Sequence, residues 1–313
     1  MTTRIGIIGC GGIAHSHLAG YQENGASITA LADVNAEALG NLAAESGGAE
    51  MFDSAEALIR SGQVDAISIC TPPDAHAEAA LLALKKGIHV LCEKPLANTV
   101  EAAAQICEAA DKSDAIFLTA FRHRILPAAR KMHELVSGGA IGDVVLFRNT
   151  FCGPGQRLYD TWFAQKDISG GGTMMDTSAH SVDLFRFLCG EITEQCAAVH
   201  MHNEKIHVED ASMLLVKSES GAVGCLAASW CVAVGEAVVE VSGTDGKVVY
   251  DYTEPDCVRL KSGDKDWENV PVESSRGFAE ETANFLAAIE GTVPPFCTAY
   301  DGLRAVEVIQ ACY

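Results

Sequence analysis

The sequence predicts an α/β protein of two domains, in which an N-terminal parallel sheet is followed by a C-terminal α/β domain with a large, mostly antiparallel sheet. Residues up to about 120 alternate between apolar runs of strand length and helical stretches, the rhythm of βαβ units. From Pro127 onward, strands follow one another with fewer helices between them. The 313 residues suffice for two compact domains. We place the boundary after residue 122, which gives domains of 1–122 and 123–313.

The first domain is predicted to consist of short apolar strands and helices rich in Ala, Leu and Glu, which are strong helix formers. The strands lie at 4–8, 27–32, near 51, and at 64–70, 89–92 and 115–120. The helices lie at 15–24, 36–45, 54–60, 75–86 and 99–110. Gly47, Gly62 and Gly87 stand where helix C-terminal caps are needed.

The second domain is predicted to begin with a helix and to continue as an antiparallel sheet. The helix lies at 127–136, and the strands at 144–150, 195–202, 211–217, 222–231, 237–242, 247–251 and 257–261. The segment from Gly243 to Gly246 has the composition of a hairpin turn. Helices at 173–188, 277–289 and 301–312 are expected to cover one face of this sheet, with the alternative that the last two pack back toward the first domain.

Charge and composition exclude several classes of partner. With 22 basic and 42 acidic residues, the formal charge of −20 repels nucleic acids and anionic membrane surfaces. The uncharged run 221–235 is shorter than the ~20 residues of a spanning helix, and we interpret it as sheet.

The N-terminus has no signal-peptide pattern, so we expect a cytoplasmic protein. The twelve cysteines are scattered without a CxxC pair, which favours reduced thiols in the core.

A glycine-rich turn follows the first predicted strand and opens a helix. It matches GxGxxA in that context, through Gly9, Gly11, Gly12, Ile13 and Ala14. Gly9 permits the tight turn, Gly11 lets the backbone approach a pyrophosphate, and Ala14 lets helix and strand pack closely. The helix N-terminus offers unpaired amides to phosphates. The motif predicts a Rossmann dinucleotide-binding domain, and the alternative is a structural turn without a ligand.

Asp33 ends the second predicted strand, 24 residues after Gly9. A carboxylate there can accept hydrogen bonds from the ribose hydroxyls of the adenosine and repel a 2′-phosphate, which favours NAD over NADP. Helix capping is the competing role for Asp33, although Asn35 could cap that helix instead.

Two further strands end in residues suited to a ligand-binding edge. Thr71 and Pro72 follow the fourth strand, and Glu93 and Lys94 follow the fifth. Lys94 could hydrogen-bond a substrate hydroxyl and stabilise the alkoxide character that develops in hydride transfer. Taken alone, it could equally be a solvated surface lysine.

Asp176, His180 and Asp183 follow a run of three glycines at spacings of four and three, which places them on one face of the predicted helix 173–188. A neutral His180 could accept the proton of an alcohol while a carboxylate orients its ring or holds the substrate. A metal site or structural hydrogen bonds are the alternatives, but a metal needs ligands that this spacing does not supply.

Other polar groups are weaker candidates. His200, His202 and His207 resemble a metal cluster on paper but read as a sheet rim, so we predict no metal site. Arg122, His123 and Arg124 follow the last strand of the first domain, where they could bind an anion or pair with acidic residues. The loop before the glycine run carries possible sugar contacts, which could equally be core or surface residues: Arg157, Tyr159, Trp162 and Lys166.

Taken together, these segments resemble the Gfo/Idh/MocA family, the glucose-fructose oxidoreductase and inositol dehydrogenase group, over nearly the whole chain. Four landmarks carry the resemblance, and EKP with its upstream TPxxxH is the most specific. They are GCGGIA with His17 shortly after, TPPDAHAEAALLALKKGIHVLCEKPLA from Thr71, AFRHRILP from Ala120, and GGGTMMDTSAHSVDL from Gly170. The resemblance implies a nicotinamide-dependent dehydrogenase whose C-terminal sheet has an open face that builds homodimers or homotetramers.

Residue roles follow from the resemblance by position. Lys94 matches the family's catalytic lysine, and Asp176 and His180 match the residues that polyol-oxidising members use. His180 is then the base, Lys94 the alkoxide stabiliser, and Asp176 a group that binds substrate or orients His180. The positions expected to touch the cofactor are Thr71, Pro72, His76, Glu93 and Lys94, beside the glycine loop and Asp33. Arg122 stands where relatives often have a small or amide residue, so we include it among the substrate contacts.

The expected function is oxidation of a secondary hydroxyl of a sugar, inositol or related polyol to a ketone by an NAD(P)-dependent dehydrogenase, with NADP less favoured. One alternative is redox-neutral cleavage of a glycoside, in which bound NAD cycles. A second is a non-catalytic NAD-sensing protein on the same fold.

Overall fold

The computed structural model describes residues 3–313 and divides into two compact units. The first extends to Arg122 and includes Gly277–Val306, and the second comprises His123–Arg276 and Glu307–Tyr313. The predicted fold class is confirmed, since one unit carries a parallel sheet and the other a mostly antiparallel sheet.

Within residues 3–313, the strands in chain order are β1 (Ile5–Ile8), β2 (Ile28–Ala32), β3 (Glu50–Phe52), β4 (Ala66–Ile69), β5 (His89–Cys92), β6 (Phe117–Thr119), β7 (Val144–Pro154), β8 (Ile192–His200), β9 (Ala211–Ser218), β10 (Val223–Ser229), β11 (Cys231–Gly243), β12 (Gly246–Asp251), β13 (Cys257–Ser262) and β14 (Glu268–Pro271). The α-helices are α1 (Gly12–Glu23), α2 (Ala36–Glu45), α3 (Ala55–Arg60), α4 (His76–Lys85), α5 (Val100–Asp111), α6 (Arg122–Ile125), α7 (Pro127–Ser137), α8 (Lys166–Ser169), α9 (Thr173–Asp176), α10 (Ser178–Cys189), α11 (Phe278–Ile289) and α12 (Ala299–Gln310).

The sheet of the first unit has the strand order β3-β2-β1-β4-β5-β6, and every pairing in it is parallel. The order reverses between β1 and β4, so a crevice opens at the carboxyl ends of these two strands, where open α/β sheets bind ligands. Local signals set the helix ends as predicted, because Gly47, Gly62 and Gly87 all have positive φ and Asn35 caps α2 with its side chain.

Helix α11 belongs to the first unit, although it is far from that unit's other elements in sequence. The Asn24 side-chain amide at the end of α1 donates to the Ala279 carbonyl at 2.8 Å and to the Thr282 hydroxyl at 3.0 Å. Gly20 allows the approach, because a Cβ there would lie 2.7 Å from the Phe278 carbonyl oxygen. Phe285 lies in the same buried core as β1 and β2. The expectation that 277–289 covers the second sheet is therefore wrong.

The sheet of the second unit has the order β14-β13-β12-β11-β7-β10-β9-β8. Only the β7–β10 pair is parallel among the described strands. The predicted hairpin joins β11 to β12. Helices α7 and α10 pack on one face. Strand β14 was not predicted, since its four residues at the sheet edge include a proline and lack an alternating pattern.

The other face of this sheet exposes large apolar side chains. Along β9, buried and exposed residues alternate as the period of a strand requires. Met213 and Leu215 are 48% and 46% exposed, and Val223 on β10 is 44% exposed. Because β10 pairs antiparallel with β9 and parallel with β7, these three side chains lie near one another on the same face of the sheet.

The predicted helix 173–188 is two segments, α9 and α10, which meet at Thr177. The Thr177 backbone stays right-handed helical, but its carbonyl accepts from the His180 amide at 3.3 Å, a tighter i to i+3 contact. The Trp230 indole donates to the Thr177 hydroxyl at 3.1 Å and holds this junction. No helix within residues 3–313 has the length and apolar character to cross a bilayer.

Candidate functional site

The glycine loop of the first unit exposes backbone at the start of α1. Gly9 has φ +86°, and a Cβ there would lie 2.6 Å from the Thr71 amide nitrogen, so only glycine fits between β1 and β4. Gly11 and Gly12 are exposed, and nothing lies within 4 Å of where their Cβ atoms would be. Among the described residues no side chain caps α1. Its first amides are therefore available to an anion.

Asp33 lies at the carboxyl end of β2 beside this loop. Its Oδ2 accepts from the Cys10 amide at 2.6 Å, and its Oδ1 accepts from the Asn35 amide at 2.7 Å. The competing role in helix capping is excluded, because Asn35 accepts from the amides of Glu37 and Ala38 at the start of α2. The two backbone bonds hold the Asp33 carboxylate at the sheet edge predicted for the adenosine ribose.

Thr71 follows β4 at the same edge, and His76 lies behind it. In the described chain, the Thr71 hydroxyl oxygen is buried without a hydrogen-bond partner. His76 is 0% exposed, and its ring nitrogens face the carbonyl oxygens of Thr71 at 2.8 Å and Pro95 at 3.1 Å. Burial lowers the pKa of His76, and these carbonyl groups oppose that shift. The buried His76 ring supports the loops on both sides of this edge, and its predicted contact with the cofactor stays a prediction.

Glu93 and Lys94 follow β5 at this edge, as predicted. The Glu93 amide donates to the Ile69 carbonyl at 3.0 Å, and the Lys94 amide donates to Glu93 Oε2 at 3.0 Å. The Lys94–Pro95 peptide bond is cis. Glu93 is 8% exposed, and its Oε1 contacts His17 Nε2 at 2.9 Å. Glu93 is thus turned inward, while Lys94 is half-buried.

In the second unit, a glycine run and a buried carboxylate set the start of α9. Glu209 is 5% exposed and accepts from the amides of Gly172 and Met174 at 3.0 and 2.9 Å. It also accepts from the Tyr313 hydroxyl at 2.7 Å. A Cβ on Gly172 would lie 1.8 Å from the Glu209 carbonyl oxygen. The run thus has a packing role that fixes where the helix carrying Asp176 begins.

Asp176 and His180 lie on α9 and α10 on either side of the Thr177 junction. The Thr177 hydroxyl donates to Asp176 Oδ2 at 3.2 Å. His180 is 8% exposed, and its ring centroid is 4.2 Å from that of His123. His123 Nδ1 lies 2.7 Å from the Tyr252 hydroxyl. Sequence reasoning missed this support: His123 was noted only as part of a basic cluster, and Tyr252 carried no signal.

Asp183 does not share the chemistry of its helix neighbours, because it is paired with Arg124. The pair is bidentate and buried, with side chains 1% and 9% exposed, and the Arg124 Nε to Asp183 Oδ2 distance is 3.0 Å. The three basic residues diverge, since His123 contacts Tyr252 and the Arg122 guanidinium lies 5.1 Å from the Phe278 ring centroid. The structure does not bring them together as one anion site.

The candidate sugar contacts before the glycine run have different environments. The Tyr159 hydroxyl donates to the buried Asp210 at 3.0 Å, and burial together with this bond raises the pKa of Tyr159 to about 12. The Trp162 ring stacks on Phe163 at 3.8 Å between centroids. Arg157 is exposed. The tyrosine and the tryptophan therefore have packing roles in this loop.

The histidines of the second-unit rim do not form a metal centre. The rings of His200 and His202 lie 6.5 Å apart. Among the described residues, no three side chains of His, Cys, Asp or Glu come together to hold a metal ion. All twelve cysteines are free thiols, and half of them are buried.

The edge of the first unit fits a dinucleotide. An uncapped helix N-terminus, two glycines facing open space and the unpartnered Thr71 hydroxyl form a cradle for phosphates. Asp33 ends the neighbouring strand, where a ribose is expected. The residues that would hold the cofactor at this edge are Gly9, Gly11, Gly12, Ile13, Ala14, Asp33, Thr71, Pro72 and Lys94. The cofactor contacts of the buried residues His76 and Glu93 stay predictions.

Comparisons with known proteins agree with this assignment. Residues 3–121 match the model of the GFO/IDH/MocA family that is described as "Oxidoreductase family, NAD-binding Rossmann fold". Residues 129–249 match a second model, described as "GFO/IDH/MocA C-terminal domain". The chain is 28% identical over 311 residues to 1,5-anhydro-D-fructose reductase from Ensifer adhaerens, covering 96% of this chain and 92% of that protein. It is 27% identical over 315 residues to myo-inositol 2-dehydrogenase from Thermotoga maritima, covering 97% and 93%.

A solved structure has the same fold. The structure of levoglucosan dehydrogenase in complex with NADH superposes with a TM-score of 0.93 at 23% identity, and the match covers 99% of this chain and 96% of that one. One family match lies in each of the two units. The chain is therefore an NAD(P)-dependent dehydrogenase of the Gfo/Idh/MocA oxidoreductase family, and its first unit is an NAD-binding Rossmann domain.

Proposed function

We propose that this protein oxidises a secondary hydroxyl of a sugar, inositol or related polyol to a ketone. The observation that carries the proposal is the joint presence of Lys94 beside the dinucleotide cradle and of His180 with Asp176 at the helix junction. The family matches support it, and the named relatives act on sugars and inositols. When bound, the nicotinamide supplies the hydride acceptor.

The chain's own residues have distinct roles in this proposal. The Lys94 ammonium hydrogen-bonds the substrate oxygen and stabilises the negative charge that develops on it. The His180 imidazole accepts the hydroxyl proton. Asp176 binds a neighbouring hydroxyl or orients the imidazole. His123 lies against His180 and is hydrogen-bonded to Tyr252, so it limits the rotation of the His180 ring.

Further contacts and the cofactor preference complete the proposal. Arg122, Arg157, Tyr159 and Trp162 are proposed substrate contacts. The Tyr159 hydroxyl donates its hydrogen bond to Asp210, so its oxygen faces the substrate as an acceptor. The cofactor is NAD in preference to NADP, because the Asp33 carboxylate is held by two backbone amides where a 2′-phosphate would be repelled.

The test is reduction of NAD and of NADP, followed by absorbance, across a panel of inositols, aldoses, sugar acids and aryl diols. Lys94→Ala is expected to lower kcat by about 100-fold or more, because it removes charge stabilisation in the transition state, with a much smaller loss of NADH binding, since other residues also hold the cofactor. Lys112→Ala is the matched control, since Lys112 is exposed and pairs with Glu108 on the helix surface. Near-normal turnover of Lys94→Ala would remove Lys94 from the mechanism.

The panel also separates the other readings of the fold. Release of a free sugar from a glycoside without accumulation of NADH would indicate redox-neutral cleavage. Tight NADH binding with no turnover of any sugar or glycoside would indicate a sensing role.

We also propose that a second copy of the chain covers the open sheet face of the second unit. Met213, Leu215 and Val223 form an exposed apolar strip there, and such strips mark interfaces. Beside this strip, the Lys217 ammonium donates to Glu194 at 2.6 Å, so this charged pair needs no partner from a second copy. Light scattering should give a dimer or tetramer, and Leu215→Glu should shift it toward monomer. A wild type that is monomeric at micromolar concentration would refute this assembly.

A further inference from the structure

A chain of four buried polar side chains in the first unit ends at the backbone of Lys94. The Tyr21 hydroxyl lies 2.8 Å from the Ser68 hydroxyl, which lies 3.2 Å from His17 Nδ1. His17 Nε2 lies 2.9 Å from Glu93 Oε1, and Glu93 Oε2 accepts from the Lys94 amide at 3.0 Å. Tyr21, Ser68 and His17 are 0% exposed. None of these side chains has a role in the reaction proposed above.

The hydrogen-bond chain has one consistent set of proton positions for a neutral imidazole. A carboxylate can only accept, so His17 Nε2 carries the proton that is donated to Glu93. His17 Nδ1 then accepts from the Ser68 hydroxyl, and Ser68 in turn accepts from Tyr21. Every polar group in the chain is satisfied, which is the condition under which a buried network rigidifies its surroundings.

Three elements converge to build this network. His17 and Tyr21 lie four residues apart on α1 and so share one helix face. Ser68 lies on the central strand β4, and Glu93 follows β5. Burial pushes the pKa of Glu93 upward, but the hydrogen bond from His17, together with the charge and backbone amide of Lys94, brings it below its ordinary value. Glu93 therefore stays a carboxylate that can hold the Lys94 amide.

Packing alone does not require such a network. Burying polar groups costs free energy that apolar side chains of similar size would not incur. The network instead controls one thing, the direction of the Glu93 carboxylate. On the far side of Lys94, His76 faces the carbonyl groups of Pro95 and Leu96 at 3.1 and 3.2 Å. The backbone on both sides of Lys94 is thus held by a buried histidine.

We propose that His17 is a positioning residue for Lys94: through Glu93 it fixes the backbone from which the lysine side chain extends. This inference rests on the proposed function, because it assigns His17 to the use of Lys94 in catalysis. A displacement of about 1 Å at a reacting group can cost about 100-fold in rate. The network is the part of the first unit that prevents such a displacement.

The test compares His17→Ala and His17→Gln with His15→Ala. His15 is the matched control, because it lies on the same helix and also pairs with a glutamate at 2.9 Å, but on the surface. His17→Ala is expected to lower kcat by about 10- to 100-fold while KM for NAD changes less than about threefold. His17→Gln, whose amide can still donate to Glu93, should recover a large part of kcat. His15→Ala should match the wild type.

Milder variants keep the proposal testable if His17→Ala does not fold. Ser68→Ala and Tyr21→Phe interrupt the network farther from Lys94, and losing one hydrogen bond corresponds to about a fivefold effect. The expected order of kcat loss is therefore His17, then Ser68, then Tyr21. Equal losses in all three variants, matched by equal losses of NADH binding, would indicate a general structural role and overturn the inference.

A second readout does not depend on turnover. Lysines are reductively methylated with ¹³C, and the Lys94 signal is assigned by its absence in Lys94→Ala. His17→Ala should shift or broaden this signal, whereas His15→Ala should leave it unchanged. An unchanged Lys94 signal together with wild-type kcat in folded His17→Ala overturns the positioning role, even if Lys94→Ala is inactive. Normal turnover by Lys94→Ala would remove Lys94 from the mechanism, whereas no turnover of any sugar or polyol by the wild type would refute the proposed function.

Discussion

Replacing Asp33 should exchange the preference for NAD for a tolerance of NADP. The structure holds the Asp33 carboxylate at the end of β2 by the amides of Cys10 and Asn35. Two unit charges about 4 Å apart interact by about 4 kcal/mol at an effective dielectric of about 20. The side chain is only half-buried, so we expect about 2 kcal/mol of this repulsion to act on a 2′-phosphate, or about 30-fold in binding.

Two variants separate the charge of Asp33 from its hydrogen bonds. Asp33→Asn keeps an oxygen for one backbone amide and removes the charge, so kcat/KM for NADP should rise about 30-fold. Asp33→Ser also loses the bond to the ribose, so kcat/KM for NAD should fall about 10-fold or more. The assay is NADH and NADPH formation over a range of cofactor concentrations with one sugar substrate. Asp53→Asn, which changes an exposed carboxylate of the same unit, is the control.

The reasoning about Asp33 fails if Asp33→Asn gains nothing with NADP while remaining folded. That outcome would mean that the 2′-phosphate lies elsewhere, or that another group excludes it. A gain with NADP and an equal gain with NAD would point to a general loosening of the loop.

Three further predictions concern stability. Burial raises the pKa of Glu281 well above its ordinary value, and Glu93 adds to the shift while Arg122 opposes it. The contribution of protonated Glu281 to the free energy of unfolding is therefore fully present below about pH 4.3, and it is lost as pH rises through the folded-state pKa. Glu281→Gln should therefore melt at a higher temperature than the wild type at pH 8, with the difference shrinking toward pH 5. A constant difference across this range would contradict the assignment. Gly172→Ala should destabilise by about 3 kcal/mol in urea unfolding, because its Cβ would lie 1.8 Å from a carbonyl oxygen; a loss under about 0.5 kcal/mol would show that the loop adapts. Arg124→Met should cost about 3–5 kcal/mol in urea unfolding, since it removes the positive charge beside the buried Asp183 carboxylate, and Asp183→Leu added to it should restore most of that stability.

Local patterns in the sequence predicted the first sheet and its ligand-binding edge. The turn between β1 and α1 requires glycine at position 9, because of its positive φ and its close approach to the Thr71 backbone. The short apolar runs of the sequence indicate where the strands before Asp33, Thr71 and Lys94 end. Parallel strands bring their carboxyl ends to one edge, so these residues are neighbours by topology alone. Lys94 needed the family resemblance to stand out, because a lysine at a strand end is common on any surface.

Other features depend on residues far apart in the chain, and no local pattern contains them. The helix at 173–188 breaks at Thr177, where Trp230 donates from 53 residues away. Asp183 looked like part of a catalytic face until its partner Arg124, 59 residues earlier, was seen to pair with it. Periodicity marks which side of a helix is buried, but it does not say which group lies opposite.

The sequence by itself determined the two-sheet architecture and the dinucleotide edge, because strand and helix periods, turn glycines and cap residues act within a few positions of one another. The family came from the resemblance of the motifs around Gly9, Lys94 and His180. The tertiary structure decided that α11 completes the first unit's core, that His17 reaches Glu93 across 76 residues, and that Arg124 is committed to an ion pair. These are contacts between elements that close packing selects only after the chain has folded. Such side-chain partners determine which polar residues can still bind a ligand and which are used within the fold.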